Sequence, residues 1–80
     1  MDRFMVSRIG DTNVYMVLAK DSDPLMFTVG AEPGVVFGFI VISGSFAPYS
    51  HTTFYSMVND ISICEREELA EAAKKDFFDL

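Results

Sequence analysis

Between Glu32 and Asp60 the chain contains no Asp, Glu, Lys or Arg, yet that interval holds Phe37, Phe39, Phe46, Tyr49, Phe54 and Tyr55. The 12 acidic and 6 basic residues all lie outside it. In a chain of 80 residues, so long an uncharged and aromatic segment is either the centre of the core or a surface made for a partner.

The length sets one domain, residues 1–80, near the small end of what folds without a covalent or metal staple. The single Cys64 excludes an internal disulfide, and no Cys/His cluster points to a structural metal. One cysteine also suits a reducing compartment, so a cytoplasmic protein is expected. Mean hydropathy is positive, which raises the question of a membrane span. The longest apolar run, 35–42, falls far short of the roughly 20 residues a spanning helix needs, and Ser43, Gly44 and Ser45 follow it. The N-terminus has no basic start leading into an apolar block, so no signal peptide is expected. The net charge of −6, with scattered bases, argues against direct nucleic-acid binding and favours approach to a basic partner.

Residues 3–9 and 13–20 are rich in Val, Ile, Tyr, Phe and Met, and Gly10, Asp11 and Thr12 intervene, which predicts a β-hairpin. A turn over 21–24, a short strand over 25–29 and a tight turn at Pro33 follow. The next strand, 35–43, is apolar on both sides, with Gly38 leaving room for a neighbour. Residues 44–50, with Gly, Ser and Pro, read as a loop long enough to cross over the sheet. The segment 52–64 carries mixed periodicity and reads as a strand to about Val58, a turn at Asn59-Asp60, then a helix. Ser62 and Glu65 have capping-box spacing, and Leu69, Ala73, Phe77 and Leu80 form one apolar stripe. Glu71 is placed to pair with Lys75 one turn on. The expected fold is therefore α+β: a small antiparallel sheet of four to five strands with a C-terminal amphipathic helix on one face. One helix covers only one face, while 14–19 and 35–42 are apolar on two, so unless 44–60 supplies a second layer it is expected from a partner or a second copy.

No residue set demands a reaction. His51 beside Ser50 lacks an orienting acid, and adjacent strand residues point to opposite faces. A Cys64–His51 pair is the one enzymatic candidate, with a thiolate favoured by the helix start. The glycines form neither a Gly-Lys-Ser/Thr nor a Gly-x-Gly-x-x-Gly phosphate cradle, and the acids of 65–71 lack a His at ligand spacing. No cofactor, metal or catalytic residue is expected. The preferred reading is a small acidic module that binds and inhibits or modulates a larger protein with a basic surface. Its candidate contacts are the aromatic anchors Phe37, Phe39, Tyr49 and Tyr55, with an acidic strip of Glu67, Glu68, Glu71 and Asp76. As a class, by size and acidity alone, the chain resembles virus-encoded inhibitors of host enzymes, including anti-CRISPR proteins, and small immunity proteins. That likeness transfers no residue roles. The rival reading is an assembly subunit that forms a symmetric homo-oligomer, such as a homodimer, by sheet or strand packing.

Overall fold

A computed structural model describes residues 3–22 and 36–80. The expected strand over 25–29 and turn at Pro33 lie outside these residues, as do Asp23, Pro24 and Val35 of their neighbours. The described elements are β1 (Phe4–Arg8), β2 (Val14–Ala19), β3 (Val36–Ser43), β4 (His51–Ser56) and α1 (Ile63–Phe78). The strands form a four-stranded antiparallel sheet in the order β1-β2-β3-β4. This is the expected α+β architecture, with α1 packed on one face.

Registers assign the side chains to faces, because directly opposed residues of antiparallel strands point the same way. Tyr15 opposes Arg8 and Ile40, Val17 opposes Val6 and Gly38, and Ile40 opposes Phe54. These rows face α1. Phe4, Tyr15, Val17, Ile40, Ile42, Ile61, Leu69 and Ala73 are buried there in one core, and Val6, Phe37, Phe54, Val58, Phe77 and Phe78 pack against it. The register shifts between Val17 and Leu18, so β3 carries an extra residue at Phe37. The Phe37 ring meets Phe4 edge-on, with centroids 5.1 Å apart. The other, open face carries Met5, Met16, Leu18, Phe39, Val41, Thr53 and Tyr55.

The expected lack of cover is only partly met. Met16 and Leu18, on the open face, are buried within the single chain, between Ser7 and Phe39 and between Met5 and Val36 respectively. An inner strand is thus enclosed on both sides. Phe39 and Val41 are half-buried, and among the described residues the exposed large apolar ones all lie beyond Ser43, Tyr55 among them on this face. A second correction concerns 44–50, which does not cross the sheet. It closes a hairpin in which Ser43 faces His51. The strand after it stops at Ser56, where the Ser56 hydroxyl bonds the Val58 carbonyl and turns the chain.

The helix begins as its sequence predicts: the Ser62 hydroxyl accepts from Glu65 N–H at 3.0 Å, and Ser62 N–H donates to Glu65 Oε1 at 3.1 Å. It ends at Asp79, whose φ of 53° is left-handed, and Leu80 is exposed instead of completing the apolar stripe. None of the described helices is long and apolar enough to cross a membrane.

Two polar links fasten α1 to the sheet. Arg3 donates from Nε and Nη2 to the two carboxylate oxygens of Glu65 at 2.9 and 2.7 Å, and from Nη2 to the Asp60 carbonyl at 2.9 Å. The fork geometry makes this a strong type of pair. Arg3, with the Ser62 backbone, holds the Glu65 carboxyl down at about 2. A depressed carboxylate stabilises the fold above its unfolded value and loses that contribution as pH falls through its folded value. Glu65 therefore contributes fully above about 4.5 and progressively less down to about 2. Urea unfolding over this range is expected to show the wild type losing more stability on acidification than Glu65→Gln, which keeps the cap but not the charge. Equal losses would show that the link carries no pH-dependent stability. The second link is the Tyr15 hydroxyl, which donates to Asp76 Oδ2 at 2.6 Å. Burial, and then the Asp76 carboxylate, push the Tyr15 hydroxyl well above the ordinary phenol range.

Candidate functional site

The uncharged segment builds the β3–β4 hairpin, and its outward side chains are aromatic or hydroxylic. At the tip, Gly44 has a φ of +117°, a conformation that favours glycine, and its missing Cβ would lie 2.9 Å from Ser50 Cα. The Tyr49 N–H donates to the Phe46 carbonyl at 3.1 Å across a turn containing the cis Ala47-Pro48 bond. This brings the Phe46 and Tyr49 rings edge to face, with centroids 5.3 Å apart. Both stay in solvent, at 55% and 78% exposure. On the open face Tyr55 opposes Phe39 and is itself 57% exposed, and Met57 follows it into solvent. Among the described residues, the Ser50 hydroxyl at the root of β4 is the buried side-chain polar atom with no hydrogen-bond partner.

The structure sorts the expected contact residues into different roles. Tyr49 and Tyr55 are free aromatic surface. Phe39 lies half-buried beside Tyr55, as part of the floor of that surface. Phe37 points the other way, into the core against Phe4, so it is a packing residue and not an exposed anchor. The reason is the β-bulge, which turns the Phe37 side chain to the helix side. Phe46 and Met57 were not singled out by sequence, although Phe46 stands in the Gly- and Pro-containing loop where outward side chains are expected.

The acids divide as well. Glu67, Glu68 and Glu71 are exposed on α1. Asp76 is exposed as well, and it also accepts the Tyr15 hydroxyl, which makes it a fastening of the fold. Glu71 pairs with Lys74 at 3.3 Å, not with Lys75, so the partner lies three residues on instead of four. Because α1 occupies one face and Tyr55 the other, the acidic strip and the Tyr55 surface lie on opposite sides of the sheet. They do not form one rimmed patch.

The Cys64–His51 pair fails on geometry. His51 shares the open face with Thr53 and Tyr55, whereas Cys64 is exposed on α1 across the sheet. Glu68 lies beside Cys64, with Sγ–Oε1 at 3.7 Å, and its negative charge, followed by desolvation, pushes the thiol up. The expectation that the helix start favours the thiolate is thus overturned by the acids of the same helix. Among the described residues no group of His, Cys, Asp and Glu is arranged to hold a metal ion.

No family model matches the chain, no curated protein matches its sequence and no solved structure matches its fold.

Proposed function

We propose that this chain is a small acidic protein-interaction module that binds, and inhibits or modulates, a larger partner with a basic surface. The supporting observation is the hairpin: Phe46, Tyr49, Tyr55 and Met57 are exposed on an element without one charged side chain. Aromatic and Met side chains on an uncharged surface are what the desolvated centre of an interface uses. The acids of α1 act from the other side of the sheet, so their part is long-range steering and not contact. The likeness to virus-encoded inhibitors and immunity proteins rests on size and acidity alone.

Affinity capture from the native host, with mass identification, tests this reading. Tyr49→Ala and Tyr55→Ala are each expected to weaken capture by about 2 kcal/mol, roughly thirtyfold, while far-UV circular dichroism stays unchanged. Undiminished capture by both variants would remove the hairpin as the docking element. Reversing Glu67, Glu68 and Glu71 to Lys is expected to slow association at low salt and to leave dissociation alone. A faster dissociation would instead mark those acids as direct contacts.

A further inference from the structure

We propose that the outer edge of β4 pairs antiparallel with β4 of a second copy of this chain, with Phe54 opposite Phe54 on a twofold axis. The backbone hydrogen bonds show which groups that edge presents. Met57 N–H donates to the Phe37 carbonyl at 2.8 Å, in line with the register that sets Gly38 opposite Ser56. Hydrogen-bonded and non-hydrogen-bonded pairs alternate along an antiparallel ladder. His51, Thr53 and Tyr55 therefore turn their N–H and C=O groups toward β3, and Thr52, Phe54 and Ser56 turn theirs away from it. The next pairing along agrees, since Ile42 N–H donates to the Asn13 carbonyl at 2.9 Å from the alternate set of β3 residues.

The two edges of the sheet differ in protection. The β1 edge is bounded by Arg3 and Arg8, and Arg8 donates to the carbonyls of Thr12 and Asp11. Charged residues at an edge discourage further strands. β4, His51–Ser56, has no Lys, Arg, Asp, Glu or Pro, and the sheet's irregularity lies between β2 and β3, not here. β4 ends the sheet, and among the described residues no backbone group bonds its outer side. Among the described residues the one cation found against a β4 ring is Arg66, whose guanidinium sits 5.6 Å from the Phe54 centroid on the helix side.

A second copy fits this edge because the strand is complementary to itself. The register that uses all three outward residues sets Thr52 against Ser56 and Phe54 against its own copy, all on the helix side. Thr53 then meets Tyr55 on the open side. No pair in that register opposes like charges. Each copy carries −6, but those charges reside on other segments, and solvent-exposed charges are screened beyond about 8–10 Å at physiological salt. The result is one continuous sheet whose two open faces, each with a Tyr55, lie side by side. This pairing stands independently of the hetero-partner reading.

Sedimentation velocity and amide hydrogen exchange on the full chain across a concentration series test it. The expected result is a dimer whose formation slows exchange at the Thr52, Phe54 and Ser56 amides. Thr52→Pro removes one outward N–H per copy, so two symmetric hydrogen bonds, and is expected to raise the dimer Kd at least about tenfold. Should that variant unfold, Thr53→Lys, which places two like charges astride the axis, is expected to do the same with the fold intact. A monomer at every concentration, a dimer whose three amides exchange as in the monomer, or a dimer indifferent to the folded variants would overturn the proposal. A monomer that still captures a partner through Tyr49 would leave the proposed function in place.

Discussion

The Leu69→Ala protein is expected to lose about 2–5 kcal/mol of unfolding free energy, measured by urea denaturation at neutral pH. Leu69 is 2% exposed and lies in the core with Ile61 and Ala73 on one side and Tyr15, Val17, Ile40 and Ile42 on the other. Truncation removes apolar burial and leaves a void that a single helix on a sheet closes only in part. At roughly 0.05–0.15 kcal/mol per residue, a chain of 80 residues has only about 4–12 kcal/mol of stability in total. The loss is therefore a large share of the total, and at the low end of that range it is enough to unfold the variant. A loss below about 1 kcal/mol would mean that α1 contributes little to the fold, and the two-layer description would fail with it.

Gly38→Ala is expected to be nearly as damaging, by a different route. A Cβ at position 38 would lie 2.6 Å from the Tyr55 carbonyl oxygen and 3.3 Å from both Phe54 Cε1 and Ser56 Cα. A ring atom can swing aside, but the carbonyl belongs to the ladder that joins β3 to β4. The strands must separate there, at a cost of about 1–3 kcal/mol or more. Because β4 carries Tyr55 and leads to the aromatic tip, partner capture is expected to fall together with the melting temperature. Retained stability with lost capture would assign Gly38 to the binding surface instead.

These two residues also show what was legible in the sequence. Leu69 belongs to a helical repeat bounded by the Ser62–Glu65 cap, and both the repeat and the cap are local patterns, so the helix was readable from its own residues. Gly38 was readable as a place where something comes close, since a glycine inside an apolar strand has few other uses. The path of the chain after Ser43 was not readable. A loop of seven residues is compatible with a hairpin or a crossing, and only the pairing of Ser43 with His51 decides it. The inward turn of Phe37 depends on one extra residue in β3, and a single-residue slip inverts the facing of a side chain without altering the alternation pattern. Asp76 is exposed, as its place on the helix implies, but its tie to the sheet is not legible. For the surface, the absence of charge between Glu32 and Asp60 leaves open whether the segment is core or exposed, and the structure has it as both. That absence did not separate the inward aromatics from the outward ones.

Arg3 meets Glu65 at the start of α1, and the Arg8 guanidinium lies 4.8 Å from the Phe77 ring centroid near its end. β1 is thus held against α1 at both of its ends. Phe4 lies in the core that Leu69 and Ala73 of α1 close, and Val6 packs against it. A chain cut before Ile63 would therefore present a sheet with its greasy side uncovered to any waiting chaperone.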